Sequence, residues 1–268
     1  MAIQKVMMIG DVVGEGGLAA LEALLPGLID EYAASLVLVN GENAADGFGM
    51  TEAVLARILS AGADVVSSGN HVWEKRDFWP ILESEARVIR PANYPAGAAG
   101  RGWTRIDKAG VSWLTVNLQG RDLMSSIDCP FKTFDGIYAS QVLTAEASPS
   151  SQKPLIIVDF HAETSREKES LAYYLDGRAS LVAGTHTHVQ TADERILPKG
   201  CGYITDLGMT GVNESIIGMD IGLCLDRVRT QVPYRMECAA GEGTVQGIIA
   251  GIDSETGFTV SIERISRH

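Results

Sequence analysis

The sequence IQKVMMIGDVVGEGGLAALEALLPGL, residues 3–28, is typical of one strand, one loop and one helix. Its first apolar run ends at Ile9 and has the length of a buried strand, and Gly10-Asp11 then turns the chain. Leucines recur from Leu18 onward at the spacing of one helix face. A strand that leads through a short loop into a helix is the repeating unit of α/β proteins, so we expect an α/β fold.

The same succession of elements recurs in the next forty or so residues. We expect a buried strand at Leu36-Val37-Leu38-Val39, followed by a glycine-bearing loop from Asn40 to Met50. Thr51 is the predicted N-cap of a helix that continues to Ala61. Residues 63–68 form a third predicted strand. The beginning of the chain therefore predicts neighbouring strands whose carboxyl ends lie at one sheet edge.

Later patterns are less regular and indicate a second, partly antiparallel sheet. The remaining predicted elements are a helix at 77–82, a strand at 87–89, a hairpin of 103–107 and 111–117, a strand at 155–160, a helix at 164–175, strands at 181–183 and 202–205, and a hairpin of 245–252 and 258–265. We interpret the polar stretch Ser148–Gln152 as a connecting loop. Residues 1–268 are thus expected to form a single domain.

Composition limits the classes of partner. The chain has 268 residues, 46% of them apolar, which is enough for a substantial core. Its 22 basic and 34 acidic residues give a formal charge of −12, whereas proteins that grip long nucleic acid usually carry a basic stripe. We therefore expect no long nucleic acid as a partner. A small phosphate ester stays compatible, because two bound dications would add about four positive charges locally.

The sequence offers no membrane anchor or disulfide framework. The apolar run that ends at Ile9 is too short for a signal-peptide core, and no segment approaches about 18 uninterrupted apolar residues. The four cysteines are scattered and form no C-x-x-C pair, which favours reduced thiols. We expect a cytoplasmic protein without membrane contact. The helical pattern of Ile221, Leu225 and Val228 belongs either to the core or to the face of a homo-oligomer.

Polar side chains follow each of the first three predicted strands. Asp11 comes after the first, Glu42 and Asn43 after the second, and Asn70 and His71 after the third. Taken singly, the Asp could cap a helix and the Glu-Asn pair could form a polar turn. A dinucleotide-binding loop is excluded, because the first loop lacks G-x-G-x-x-G and carries a negative charge. Together these groups suggest a binding site at the sheet edge.

Four of the five histidines also lie in such motifs. His161 ends a predicted strand, where a single histidine is more often structural. His186 and His188 form an H-x-H pair, a spacing that can direct both rings at one region. Imidazole, amide and carboxylate groups at strand ends indicate converging metal ligands rather than packing. His268 is the last residue, and we expect it to be disordered.

Glu42 and the asparagines suit a site with two cations. A carboxylate has two oxygens and can bridge two metal ions, while a neutral amide adds coordination without further negative charge. With Asp11 and Glu42 as the ionised ligands, two divalent ions would keep about two surplus positive charges. Such a site would attract a phosphoryl group.

These motifs resemble a known family when they are taken together. They are, in order, GDVVG (10–14), NGENAADGFG (40–49), GNHVW (69–73), DFHAETSREKE (159–169), GTHTHVQTAD (184–193) and ITDLGMTG (204–211). The series resembles the YmdB-like branch of the calcineurin-like metallophosphoesterases, the bacterial 2',3'-cyclic-nucleotide 2'-phosphodiesterases. The wider superfamily begins with Asp-x-His, whereas Val13 stands at that histidine position. The YmdB-like branch also lacks this histidine, so Val13 favours the narrower assignment.

The resemblance implies an architecture and a set of site residues. The implied fold is a sandwich of two mixed β-sheets flanked by helices. One implied metal site consists of Asp11, Glu42, Asn43 and His188, and the other of Glu42, Asn70, His161 and His186, with Glu42 as the bridge. His71 resembles the proton donor of the family. The implied cofactors are two divalent or mixed-valence ions, which we expect to be iron, with manganese as an alternative.

The function implied is hydrolysis of 2',3'-cyclic nucleotides to 3'-nucleotides, by attack of a metal-bridging hydroxide with His71 as proton donor. Two alternatives stay open, a metal-nucleotide sensor with slow turnover that signals through a partner and a hydrolase of other small phosphoesters. We assign no substrate-contacting residue. Arg90, Arg121 and Arg166 are weak candidates for phosphate contacts, and Phe48 and Trp73 either stack on a base or wall the site.

Overall fold

Two mixed β-sheets pack against each other, and helices cover their outer faces. The computed structural model describes residues 2–143 and 153–268, so the predicted loop at 148–152 lies outside the described residues. The predicted fold class, a sandwich of two mixed sheets flanked by helices, is confirmed. Within the described ranges, no helix is both long and apolar enough to cross a bilayer.

The first sheet contains the strands of the N-terminal units and the last hairpin. Its strands are β1 (Ile3–Ile9), β2 (Asp11–Val12), β3 (Leu36–Asn40), β4 (Val65–Ser67), β11 (Met209–Val212), β12 (Gly243–Asp253) and β13 (Thr259–Arg267). They are ordered β2-β11-β12-β1-β3-β4, and β13 pairs with β12. β1, β3 and β4 run parallel, whereas β12 is antiparallel to β1.

The second sheet is partly antiparallel, as predicted. Its strands are β5 (Trp103–Lys108), β6 (Val111–Gln119), β7 (Leu155–His161), β8 (Leu181–Thr185), β9 (Arg195–Ile196) and β10 (Gly202–Ile204), in the order β5-β6-β7-β8-β10-β9. The central strands β6, β7, β8 and β10 are parallel, and the two edge pairs are antiparallel.

Six α-helices lie in the described ranges. They are α1 (Gly14–Tyr32), α2 (Glu52–Ser60), α3 (Trp79–Ser84), α4 (Pro130–Tyr138), α5 (Ser165–Leu175) and α6 (Ile221–Thr230). The predicted cap at Thr51 is confirmed, because its hydroxyl accepts a backbone N–H at the start of α2, and the hydroxyl of Thr164 caps α5 in the same way. Helices α1, α2 and α3 pack on the first sheet, whereas α4 and α5 pack on the second.

Side chains of β1 alternate between two apolar layers. Met7 and Ile9 point to the helices on the outer face, and Val6 and Met8 point to the second sheet. Successive side chains of a strand point to opposite faces, so a strand of consecutive apolar residues is buried on both faces. The layer between the sheets therefore contains side chains of both, including Trp113 of β6.

Two local predictions are wrong. Residues 87–89 do not form a strand, because they make only an isolated bridge beside Val66, whose N–H donates to the Arg87 carbonyl and whose carbonyl accepts from the Ile89 N–H. Pairing of one residue is too short to extend the sheet. His268 is also not disordered, since its Nδ1 lies 2.7 Å from the hydroxyl of Thr244.

Candidate metal centre

The predicted site residues lie together where the carboxyl ends of strands from both sheets meet. Asp11 follows β1, Glu42 and Asn43 follow β3, and a 3-10 segment Asn70–Trp73 follows β4. His161 is the last residue of β7, and His186 and His188 follow β8. Because parallel strands end at the same edge, loops distant in sequence converge there. All eight predicted residues are connected by the contacts described below.

His161 lies at the centre of one half of the site. Its Nε2 is 2.9 Å from Glu42 Oε1, 3.1 Å from Asn70 Oδ1 and 3.0 Å from His186 Nδ1. A single N–H can serve only one of these neighbours, and the others carry lone pairs. Glu42, His161 and His186 each present a ligand atom within 4.8 Å of the others. Lone pairs that face one another in this way would be satisfied by a cation.

Asp11, Asn43 and His188 form the other half. His188 Nε2 lies 3.9 Å from Asp11 Oδ1 and 3.0 Å from Asn43 Nδ2. The two halves share Glu42, whose Oε1 is 3.4 Å from Asn43 Nδ2 and whose Oε2 accepts the backbone N–H of His71. The side chain of Glu42 therefore lies between the two groups of predicted ligands.

Two buried oxygen atoms without hydrogen-bond donors indicate that the side chains at this site fit metal ions. Asp11 Oδ1 and Asn43 Oδ1 are buried and accept no hydrogen bond from any residue that the structure describes. Buried acceptors are normally satisfied, because an unpaired buried polar atom costs about 1–3 kcal/mol. A divalent ion prefers carboxylate and amide oxygens of this kind. The metal roles of these residues nevertheless stay predictions.

Gly69 keeps the space between the two halves open. A Cβ at this position would overlap Glu42 Oε2 and the ring of His161. Any larger residue would therefore displace a predicted ligand. This glycine precedes Asn70 and His71, and it lets the loop after β4 approach the side chains of the second sheet.

Burial and neighbouring charges shift the pKa values of Asp11 and Glu42 in opposite directions. Burial raises the pKa of Asp11 to about 6, and the neighbouring His188 and His161 offset only part of this effect. Burial also raises the pKa of Glu42, but the charge and hydrogen bond of His161 outweigh it and hold the value at about 2. The same pairing overcomes the burial of His161 and raises its pKa to about 9. Without metal, a proton on His161 thus stabilises the Glu42 carboxylate.

The ring of His186 also contacts the carboxylate of Glu163. Its Nε2 is 3.0 Å from Glu163 Oε2, so Nδ1 is the atom that faces Glu42 and His161. Burial, followed by the charge of His161, lowers the pKa of His186 to about 3. The ring is therefore neutral at ordinary pH, which is the form that binds a metal. Glu163 was not among the predicted site residues, although it stands in the same sequence motif as His161.

The loop after β8 has an unusual backbone. His186 and His188 both adopt positive φ angles, of 100° and 62°. Non-glycine residues in this region store about 1–3 kcal/mol each and need support from their surroundings. Asp206 gives that support by accepting bonds from the backbone N–H and the hydroxyl of Thr187, between the two histidines. Lys168 in turn lies 2.7 Å from Asp206, and both side chains are buried.

A second network of buried hydrogen bonds contacts His161 at Nδ1. The hydroxyl of Thr185 donates to Asp159 Oδ1 at 2.7 Å, and its oxygen lies 3.0 Å from His161 Nδ1. Asp159 Oδ2 accepts from Asn40 and Ser67. If the hydroxyl is used as a donor to Asp159, its lone pair accepts Nδ1–H, and Nε2 is left as the coordinating atom. The sequence gives one sign that Asp159 has a special role, because it is a carboxylate inside an otherwise apolar predicted strand.

The structure decides between several alternative roles. Asp11 does not cap α1, since Val13 occupies the N-cap and makes no side-chain cap bond. A polar turn does exist beside Glu42, because the Glu42 N–H donates to Asn40 Oδ1 at 3.1 Å. Arg90 is neither a solvated surface residue nor free for phosphate, because it is buried and donates to backbone carbonyls of residues 91–100. Arg166 pairs with Asp122 on the surface.

The aromatic candidates differ in position. Phe48 packs edge-on against His71, with ring centroids 5.1 Å apart, and it lines a cavity beside the site. Trp73 instead packs on Tyr94 and Trp79. His71 itself places Nδ1 3.5 Å from Glu74 Oε1, and its ring faces the same cavity. The predicted donor is therefore next to the ligands and open to a bound molecule.

The chain is similar to known proteins over almost its whole length. A protein-family model described as YmdB-like protein matches residues 7–265. The 2',3'-cyclic-nucleotide 2'-phosphodiesterase of Bacillus subtilis (strain 168) is 43% identical over 261 residues, which cover 97% of this chain and 96% of that protein.

Two solved structures are similar over nearly the whole chain. A hypothetical protein from Thermus thermophilus is 40% identical, with a TM-score of 0.89 and 98% of both chains covered. A novel phosphatase from Mycoplasma pneumoniae is 28% identical, with a TM-score of 0.91, and covers 99% of this chain and 94% of that one. These similarities confirm the predicted resemblance and the predicted enzyme class, a phosphoesterase. The chain belongs to the YmdB-like family.

Proposed function

We propose that the protein hydrolyses 2',3'-cyclic nucleotides to 3'-nucleotides at a dinuclear metal centre. The observation that carries the proposal is the convergence of Asp11, Asn43 and His188 with Asn70, His161 and His186 around one shared carboxylate, Glu42. The similarity to the Bacillus subtilis phosphodiesterase supports the choice of substrate. Iron is our proposed metal, with manganese as the alternative.

Bound cations would supply two effects, which are a lowered pKa of a coordinated water and stabilisation of negative charge on the phosphoryl oxygens. The chain supplies the rest. Asp11 and Glu42 provide two negative charges among otherwise neutral ligands, so positive charge is left over for an anionic phosphodiester. The hydroxyl oxygen of Thr185, which is buried, and the carboxylate of Glu163, which is partly exposed, accept N–H groups of the two rings that face Glu42 and hold them in place.

His71 is the proposed proton donor. Water adds to phosphorus, the bond between phosphorus and O2' breaks, and the 2'-oxygen receives a proton, which yields the 3'-nucleotide. An alkoxide is a strongly basic leaving group, so a proton supplied at this oxygen matters. The imidazole of His71 lines the cavity beside the predicted ligands and packs against Phe48 in an edge-to-face arrangement.

The test is hydrolysis of 2',3'-cyclic AMP by anaerobically prepared protein loaded with iron or manganese, with identification of the product isomer. Glu42→Gln is the matched variant, because it keeps the size of the side chain and removes the shared charge. We expect 3'-AMP from the wild type and a large loss in the variant. Turnover of phosphomonoesters but not of the cyclic nucleotide would contradict the proposed substrate. Nucleotide binding without turnover by metal-loaded protein would favour the sensor alternative.

A further inference from the structure

A cavity of about 370 Å³ opens directly beside the predicted metal ligands. The predicted ligands Glu42, Asn43, His186 and His188 line it, as does His71. The volume lies in the range of small-molecule pockets and exceeds what a phosphate group alone needs. Whatever group is esterified to the phosphate would therefore extend into this space.

Apart from Arg227, the remaining described residues of the lining are not charged, and most of them come from a different part of the chain. They comprise Phe48 and a cap segment, residues 216–236, which contains α6. From this cap segment the cavity receives Ile217, Met219, Val228 and Met236. Thioethers and aromatic edges adapt well to flat aromatic groups. Such walls favour a planar ring over a charged or strongly hydrated group.

Arg227 is the one charged cap residue among the described residues that line the cavity. Its guanidinium forms no hydrogen bond or ion pair with another side chain in the parts of the chain that the structure describes. A guanidinium can lie over an aromatic face or donate to ring nitrogens and carbonyl oxygens. This pairing of one free cation with apolar walls suits a nucleobase better than an acyl chain.

Ile217 connects the cap segment with the metal centre. It adopts a φ of 50°, which is a genuine outlier for a β-branched residue, and its carbonyl oxygen lies 2.9 Å from His188 Nδ1. The carbonyl thus accepts Nδ1–H and directs Nε2 of His188 toward Asp11 and Asn43. Backbone strain of this type is typical of ligand-binding sites. The same residue therefore orients a predicted ligand and lines the cavity with its side chain.

We propose that this cavity is the nucleobase subsite of the enzyme, with the base held between Phe48 and the cap segment and Arg227 beside it. The inference rests on the proposed function, because it places the base of a cyclic nucleotide whose phosphate lies at the metal centre. It also assigns the exposed apolar side chains of Ile217 and Val228 to substrate binding.

The test compares two substrates that share the reacting group. 2',3'-Cyclic AMP carries the base, and ribose 2',3'-cyclic phosphate lacks it. Val228→Asp places a charge on the cavity wall at a residue that is 71% exposed, so folding is not at risk. Val232→Asp is the matched control, since Val232 is 48% exposed on the same segment but does not line the cavity.

We expect wild type to prefer cyclic AMP, and Val228→Asp to lower kcat/KM for cyclic AMP at least about tenfold while the base-free substrate changes by less than about twofold. Val232→Asp should leave both values unchanged. Equal loss on both substrates, or no loss on either, would overturn the subsite. If metal-loaded wild type hydrolyses neither substrate, the proposed function itself fails, which distinguishes the two cases.

Discussion

The two ring nitrogens of His161 have different environments. Nε2 faces Glu42, Asn70 and His186, whereas Nδ1 faces only the hydroxyl of Thr185 and, at 3.7 Å, Asp11 Oδ1. The hydroxyl is itself fixed by Asp159. Groups behind a metal-binding histidine choose its tautomer and its orientation. Thr185 should therefore matter for metal binding without touching the metal.

Thr185→Val removes this hydroxyl while it keeps the shape of the side chain. We expect metal affinity to fall by about 10- to 100-fold, because Nδ1–H loses its acceptor and the ring loses its orientation. Thr185→Ser should retain nearly wild-type affinity. Metal titration followed by calorimetry measures both variants. Wild-type affinity in Thr185→Val would contradict the proposed role of the hydroxyl.

His71→Ala tests the proton donor through the leaving group. We expect turnover of 2',3'-cyclic AMP to fall by about 10²–10⁴-fold, because the 2'-oxygen leaves as a strong base. An activated nitrophenyl phosphodiester should lose much less, since nitrophenolate needs no proton to depart. The steady-state rates of both substrates give the comparison. An equal loss on both would argue against His71 as the donor.

The predicted ligands could be identified from the sequence, whereas the residues that orient them could not. Each predicted ligand stands just after an apolar run, and that pattern is visible without coordinates. Thr185 and Glu163 stood in the same motifs, but nothing in the letters says which partner they bind. Ile217 gave no signal at all, because a backbone carbonyl and a strained φ depend on the tertiary surroundings.

The loop between β8 and His188 shows how an element is held by buried charge. Asp206 accepts two bonds from Thr187 and one from the Gly208 N–H, and it pairs with Lys168 of α5. A buried pair often adds little net stability, but loss of one partner leaves an uncompensated charge. The pair therefore connects the loop with α5 and β10 in one arrangement.

Asp206→Asn should destabilise the protein by about 3–5 kcal/mol, because the ammonium of Lys168 is left buried without its counter-ion. The double variant Lys168→Met/Asp206→Leu removes both charges and should recover much of that loss. Denaturant unfolding curves measure both effects. Equal stability of the single and double variants would contradict this account of the pair.

Whole elements were predictable where periodicity was long. The β1–α1 unit and the last hairpin emerged from apolar spacing, because each buries one face or two, whereas the cap at Thr51 emerged from a hydroxyl residue just before a helical pattern. The two-residue strand β2 and the short strand β11 have no readable period. Helix α4 was missing from the predicted elements, although Phe131, Phe134 and Ile137 recur at helical spacing. Ile221, Leu225 and Val228 do lie on a helix, but all three are exposed, which excludes the core alternative and leaves the oligomer face as a prediction.

At the scale of the molecule, the predicted metal ligands link pH to stability. The folded pKa of His161, about 9, lies above its usual value, so the folded protein binds the extra proton between about pH 6.5 and 9. That contribution is complete below about pH 6.5 and is lost as pH rises through 9. Asp11, whose pKa is raised to about 6, shifts stability in the same direction at lower pH.

Metal-free protein should therefore lose stability from about pH 6.5 to 9, by at most about 3 kcal/mol for His161. Metal binding releases these protons, so the stabilisation by added metal should grow over the same interval. Thermal unfolding with and without metal, at constant ionic strength, measures both trends. A metal-free melting temperature that rises between pH 6.5 and 9 would contradict the assignment.

The organisation of the chain as one domain stays a prediction with a direct test. Side chains of both sheets share the apolar layer between them, so we expect one cooperative unfolding transition of metal-free protein. Two resolved transitions would argue for separate units. The cytoplasmic location and a homo-oligomer also stay predictions.

The central claim is that two metal ions share Glu42. A crystal structure of metal-loaded protein, recorded at the absorption edge of the metal, tests it most directly. We predict two anomalous peaks, one beside Asp11, Asn43 and His188 and the other beside Asn70, His161 and His186, with Glu42 contacting both. A single peak, or two peaks that leave Glu42 uncoordinated, would contradict the account.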